Sequence, residues 1–362
     1  MADELALAPP PPMAGEQDVP VAVAHLALPD GKLFTFPETA ELPHVHGGGE
    51  DRAGYVAACD GWLLFDDEEF DVLRLTSPLT GKTRLLPALF EDTVRIRDNA
   101  IEVVGAPWRD GDGDRDGAAQ SDARAEDMSV RKLVMSPYDA GLATAVVGRE
   151  HFAKVALCTM EGFSWSLSAR DRWRWYDDAA FHHDGRLYAL THGEDLVAFD
   201  VGYEDTGEPV VSRVERVVRG DRAARPWHTR THYLVASRAG PLLMVSRVMP
   251  DAGTTRGFAV YVPDMASRRW VEVSRLDAGG EALYVGRLSS RAVPSLDDAD
   301  KIFFLDDTDG MSFRTVRQPR PPYHAAVYDM ANGKVSELLP RQPLVDGKTP
   351  VTWLFPDDDD DA

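Results

Sequence analysis

The sequence predicts an all-β fold, and three observations carry that reading. Short apolar runs recur along the chain, each led by a turn signal such as Asp60-Gly61, Asp184-Gly185 or Ala239-Gly240. No stretch keeps the i, i+3, i+4, i+7 spacing of an amphipathic helix over several turns. A half-blade pattern of turn and run recurs at Asp60–Leu64, Asp184–Tyr188, Ala239–Leu243 and Ala299–Phe303. Each copy is followed by a partner run, at Phe70–Leu75, Leu196–Asp200, Phe258–Val262 and Ala326–Asp329. Unequal loops between the copies fit a degenerate, kelch-like β-propeller. About six blades are expected, and five or seven also fit the number of runs.

The elements follow in order. Residues 1–20 are an Ala- and Pro-rich lead-in, read as disordered. A single propeller domain is expected over residues 21–356, opening with Val21–Leu28 and a strand at Lys32–Phe36. Val56–Cys59, Trp62–Phe65, Phe70–Leu75 and Thr83–Leu86 then supply the strands of one blade, and Ile101–Val104 is a further candidate. The stretch 109–127 is almost without apolar residues and is read as a disordered acidic loop.

Strands resume at Lys132–Met135, Ala143–Val147, Ala153–Cys158 and Ser164–Leu167. The clearest blade core follows at His182–Val201, HHDGRLYALTHGEDLVAFDV, with Asp184-Gly185 read as a type I′ hairpin turn. Later blades draw on Thr231–Ala236, Leu242–Val248, Phe258–Val262 and Arg269–Val273, then on Leu283–Arg287, Lys301–Leu305, Ala325–Asp329 and Val335–Leu338. Thr352–Phe355 is an isolated last strand before the acidic tail 357–362. A ring must not leave open strand edges, so Lys32–Phe36 and Thr352–Phe355 are expected in one closing blade.

Composition bounds the function. The net charge of −21 argues against nucleic acid and against anionic lipid, both of which are held by Lys and Arg. Cys59 and Cys158 lie far apart in apolar runs and are read as buried free thiols of a reducing compartment. Neither a secretory signal nor a membrane-spanning run is present in these residues, so a cytoplasmic or nuclear location is expected.

Candidate chemistry is thin. Asp112, Asp114, Asp116 and Gly117 match the first half of a calcium loop, but Ala123 stands where the bidentate Glu belongs. His228 and His232 on one strand would lie roughly 13 Å apart, too far to share a metal. Both Gly-Lys-Thr tripeptides, at Gly81 and Gly347, lack the earlier Gly of a phosphate loop and read as turns. Ser129–Lys132 matches S-x-x-K with no companion motif. No catalytic residue, metal ligand or cofactor is therefore expected. The alternative is a propeller enzyme with titratable groups converging on its central channel.

Trp62, Tyr188, Phe199, Tyr261, Trp270, Phe303 and Tyr328 fall within strands and are expected to pack between blades. The run Arg170–Trp175 is cationic and aromatic in an acidic chain. Arg172, Trp173, Arg174 and Trp175, together with Trp108, are the candidate partner-binding residues, because Arg and Trp dominate binding hot spots.

Several motifs carry a family resemblance. They are LPDGKLFTFP at Leu28–Pro37, CDGWLLFDD at Cys59–Asp67, LRLTSPLTGKTRLLP at Leu73–Pro87 and FHHDGRLYALTHGEDLVAFD at Phe181–Asp200. The second half adds HYLVASRAGPLLMVSRV at His232–Val248, FAVYVPDMASRRWVEVSRLDAGGEALYVG at Phe258–Gly286, KIFFLDD at Lys301–Asp307 and AAVYDMANGKVSELLP at Ala325–Pro340. In order and spacing they resemble the plant F-box-associated propellers of the KIB type. The resemblance implies a non-catalytic receptor for a protein partner, such as a kinase or a ubiquitin-ligase component, and a monomer is expected. Fewer than thirty residues precede these motifs and show no helical pattern, so no F-box is expected within this sequence.

Overall fold

The computed structural model describes residues 24–27, 33–35, 55–67, 70–89, 92–97, 102–105, 128–139, 141–149, 152–160, 162–168, 171–220, 230–237, 240–249, 255–276, 280–305, 323–342 and 352–355. The lead-in, Trp108, the acidic loop with Asp112–Asp116, His228 and the acidic tail lie outside them.

All regular elements among the described residues are strands. The chain begins with β1 (Ala24–Ala27) and β2 (Leu33–Thr35). Blade 1 is β3 (Ala57–Cys59), β4 (Trp62–Asp67), β5 (Val72–Thr76) and β6 (Thr83–Pro87). Two short strands follow, β7 (Val94–Arg97) and β8 (Glu102–Gly105). Blade 2 is β9 (Ser129–Met135), β10 (Leu142–Arg149), β11 (Phe152–Thr159) and β12 (Trp165–Ser168), with β7 added parallel to β12. Blade 3 is β13 (Tyr176–Phe181), β14 (Leu187–Thr191), β15 (Leu196–Tyr203) and β16 (Pro209–Val218), with β8 added parallel to β16.

Blade 4 is β17 (Arg230–Ala236), β18 (Leu242–Val248), β19 (Gly257–Asp264) and β20 (Arg269–Val273). Blade 5 contains β21 (Glu281–Val285), β22 (Arg291–Pro294), β23 (Lys301–Leu305), β24 (Tyr323–Asp329) and β25 (Lys334–Gln342), in the order β22-β21-β23-β24-β25. The fold is thus a five-bladed propeller, within the expected range. A three-stranded sheet ordered β2-β1-β26, with β26 at Trp353–Leu354, closes the ring.

That sheet is the expected meeting of the chain ends. Leu26 of β1 pairs with Trp353, while Leu33 and Phe34 of β2 pair with β1 on its other side. Trp353 is fully buried and its indole donates to the Val285 carbonyl of blade 5 at 2.8 Å. The Phe355 amide donates to the Asp60 carbonyl of blade 1 at 3.2 Å. Trp353 and Phe355 pack with Tyr284, Phe303 and Leu305, whereas Leu354 packs with Tyr55, Leu63 and Phe65. β26 therefore acts as a wedge between blades 5 and 1.

The core lies between blades. Trp62 and Leu75 meet Leu133 and Val147 across blades 1 and 2, and Leu190 and Leu196 meet Leu234 and Met244 across blades 3 and 4. A strand sandwiched between two neighbouring blades is buried on both faces, so all five residues of β14 are buried and its run LYALT does not alternate. Each such Leu or Tyr contributes roughly 1.5–3 kcal/mol by leaving water. The outer strand β20 remains largely exposed, with only Trp270 and Val273 partly buried against the clusters on either side.

One turn differs from expectation. Only Gly185 takes a left-handed conformation, with φ at 78°, and the Gly185 amide donates to the His182 carbonyl at 2.9 Å. His183-Asp184-Gly185 is thus a three-residue loop, a type I turn ending in a glycine bulge, rather than a type I′ turn. The Asp184 carboxylate accepts from the Arg186 amide at 3.0 Å, which holds Asp184 in the ordinary right-handed region.

Candidate functional site at the mouth of the ring

The first strands of successive blades, β3, β9, β13 and β17, contact one another and line the axis. β13 and β17 both begin at the same end of the ring, and there four titratable side chains meet. Asp177 stands near the start of β13, beside a bulge between Tyr176 and Asp178. Consecutive strand residues face opposite sides. The pair Asp177-Asp178 takes different partners, Asp177 the histidines at this end of the ring and Asp178 the neighbouring inner strands.

Asp178 ties the inner strands together. It meets the Lys132 ammonium of β9 at 2.7 Å and accepts from the Leu234 amide of β17 at 2.8 Å. Burial still holds its carboxyl above the ordinary range, against the opposing pull of Lys132.

Asp177 divides its two oxygens between two imidazoles. His192 Nδ1 donates to Oδ1 at 3.0 Å and His232 Nδ1 donates to Oδ2 at 2.9 Å. The far side of His232, Nε2, meets Glu194 Oε1 at 3.3 Å, a charge contact rather than an aligned hydrogen bond. Glu194 reaches it from a left-handed position, φ 64°, in the turn between β14 and β15. The Glu194 carbonyl accepts from the Trp270 indole of blade 4 at 2.6 Å, so this strained turn is fastened on two sides. Burial opposes charge on His232, but Asp177 and Glu194 outweigh it and raise its pKa to about 9. Burial likewise opposes ionisation of Asp177, yet the two histidines lower its pKa to about 2.

His192 carries the outward part of the site. Its ring lies flat against Trp175, with centroids 4.0 Å apart and planes 11° apart, and its amide donates to the Trp175 carbonyl at 2.7 Å. Trp175 is half-buried, Trp173 is half-buried with the Lys154 ammonium 5.4 Å from its ring, and Arg172 is exposed. Arg174 is different: it is 3 % exposed and bound to the Asp171 carboxylate and the Tyr176 hydroxyl. Its backbone also pairs with Ala153 of blade 2 in both directions. Arg174 is therefore a joint between blades 2 and 3 rather than an exposed side chain.

The run Arg170–Trp175 thus divides residue by residue, Asp171 and Arg174 buried, Trp173 and Trp175 half-buried and Arg172 exposed, while Arg170 and Trp108 lie outside the described residues. His192, Glu194, Asp177 and His232 did not emerge as a group from the sequence. A usable signal was present in Asp177-Asp178, two carboxylates within an otherwise apolar strand. His182 and His183 face the neighbouring blade instead, His183 Nε2 lying 2.6 Å from the Ser237 carbonyl. Gly81, φ 70°, closes a hairpin onto Ser77, as expected for that Gly-Lys-Thr. Cys59 and Cys158 are free and buried.

Titratable groups do converge here, as an enzyme would require, but two of them, His232 and Asp177, have proton affinities pushed away from neutrality. A general acid or base works best with a pKa near the working pH. His232 at about 9 and Asp177 at about 2 hold their charges through the neutral range. Among the described residues, no group of three or more His, Cys, Asp or Glu is arranged to hold a metal ion. The arrangement suits a charged, braced platform under the Trp175–His192 stack.

No curated protein matches the chain. Among solved structures, the Kuenenia stuttgartiensis hydrazine synthase is 12 % identical, over 82 % of this chain and 69 % of its own, at a TM-score of 0.36. The Dos1 propeller is 10 % identical, over 79 % and 62 %, at 0.33. The Malassezia sympodialis allergen Mala s 1 is 8 % identical, over 75 % and 85 %, at 0.26. The family model described as KIB1-4 beta-propeller matches residues 27–329. That span takes in nearly all of the resembling motifs and most of the ring, and the chain belongs to the KIB1-4 β-propeller family.

Proposed function

We propose that this protein is a non-catalytic interaction module that presents a protein-binding surface at the mouth of its ring. The observation that carries the reading is the Trp175–His192 stack, held from below by Asp177 and flanked by exposed Arg172 and half-buried Trp173. Flat aromatic side chains with fixed orientation bind at low entropic cost, and Trp and Arg are the usual anchors of protein interfaces. The partner is a protein of the cytoplasm or nucleus, with a kinase or a ubiquitin-ligase component as the classes the family suggests.

Affinity capture with mass spectrometry, using the wild-type chain beside Trp175→Ala and Arg172→Glu, tests the reading. A partner recovered by the wild type and lost by both variants supports it. Equal recovery by all three places the contact elsewhere. Recovery of a cullin adaptor among the lost proteins assigns the ligase class.

A further inference from the structure

The outer edges of the blades are treated unequally. Blades 2 and 3 each receive an additional parallel strand, β7 on β12 and β8 on β16. In blade 1 the outer strand β6 ends in Pro87, whose carbonyl accepts from the Trp165 indole at 2.7 Å. In blade 5 the outer strand β25 contains Pro340. Proline removes an edge donor and blunts such an edge. Among the described residues blade 4 has neither device: β20 ends its sheet, contains no proline, and exposes Val271 to 47 %.

The register shows which groups β20 offers. Pro263 of β19 pairs with Trp270 and has no N–H, so this is a wide, non-hydrogen-bonded pair. The backbone N–H and C=O of Trp270 therefore point away from β19, as do those of Glu272 by the two-residue repeat. The Arg268 carbonyl already accepts from the Arg219 amide of the neighbouring blade at 3.1 Å, a first rung on this edge. Beyond that rung, the outward backbone groups of Trp270 and Glu272 have no partner among the described residues. Charge adds direction. Arg219, Arg268 and Arg269 are all exposed, and none has an ion-pair partner among the described residues, in a chain of net charge −21.

We propose that the outer edge of β20 binds an extended acidic segment of a partner protein, added as a strand parallel to β20. The molecule holds a pattern for this in its own β8. That strand, Glu102-Val103-Val104-Gly105, lies parallel on β16 with Glu102 as the register partner of Arg213. A partner strand alternating carboxylates with β-branched residues would place its acids on one face of this edge, the face that carries Arg269. Its backbone would complete the ladder at Trp270 and Glu272. This edge does not depend on the reading of the mouth.

The test is fluorescence anisotropy of the full chain with a fluorescein-labelled hexapeptide alternating Glu and Val, beside a Lys–Val peptide of the same length. Binding of the Glu–Val peptide, weakened by raising salt from about 0.05 to 0.3 M, is expected, with no binding of the Lys–Val peptide. Glu272→Pro removes an outward N–H that no described residue uses. It is expected to weaken peptide binding at least about tenfold while thermal unfolding stays as in the wild type. Arg219→Glu with Arg269→Glu does the same through charge, whereas Trp175→Ala leaves peptide binding unchanged. Equal binding of the two peptides, or undiminished binding by Glu272→Pro, overturns the proposal.

Discussion

His232 is the histidine that burial and its acidic neighbours move far from its ordinary state. Its pKa is raised from 6.5 to about 9 in the folded chain. A raised pKa contributes stability that is fully present below about 6.5 and lost as pH rises through about 9. Asp177 works in the other direction. Its pKa falls from 3.8 to about 2, so its contribution is present above about 4 and lost as pH falls toward 2. The joint between blades 3 and 4 is thus firmest from mildly acidic to neutral pH. Urea unfolding at pH 6 and pH 10 should show stability falling by on the order of 2–3 kcal/mol, with a smaller fall in His232→Gln. Two neighbouring arginines give a second residue-scale contrast. Arg174→Ala leaves Asp171 buried without its partner and should cost about 3–5 kcal/mol. Arg172→Ala, at an exposed position, should stay within about 0.5 kcal/mol. Chemical denaturation of both variants checks this; equal losses would contradict the assignment of Arg174 as a joint and Arg172 as surface.

Turns and edges decide matters at the scale of elements. The carbonyl of Gly193 lies 1.8 Å from where a Cβ on Gly220 would stand, and the Gly220 amide donates to Asp195 at 2.8 Å. Gly220→Ala should therefore pry the end of β16 from the turn that carries Glu194, and lower stability more than Gly185→Ala. The latter meets no neighbour and pays only the left-handed strain of about 1 kcal/mol. Thermal melts of the two variants make the comparison. Strand runs such as Trp62–Phe65, Leu187–Leu190 and Lys301–Leu305 were legible as strands because burial between blades demands unbroken apolar sequence. β7, Val94-Arg95-Ile96-Arg97, was not legible, since its alternating charge and exposed Ile96 give no burial signal. Ile101–Val104 was legible as a strand, but its place on the edge of blade 3, across an intervening blade, was not.

Closure of the ring is the property of the whole molecule. Trp353, fully buried and bonded to Val285, joins the last residues of the propeller to blade 5, while Leu354 and Phe355 engage blade 1. Trp353→Ala should cost about 3–5 kcal/mol and lower Tm by on the order of 10 °C, because the cavity opens at the one seam between the chain ends. Differential scanning calorimetry measures it; a change under about 2 °C would show that β26 is not needed to hold the ring shut.

The sequence by itself determined the class of fold, the continuous apolar strands, the buried thiols and the meeting of first and last strands. Each follows from local turn chemistry or from the requirement to bury apolar runs and strand edges. Only the tertiary structure decided which polar residues act together. Asp177, His192, Glu194 and His232 come from two blades and three separate segments, and their pairing depends on how the blades abut. It likewise separated Arg174 from Arg172 and turned the edge of β20 outward. Hydrophobic pattern specifies what must leave water; the partners of a charge are set by distances that no single strand contains.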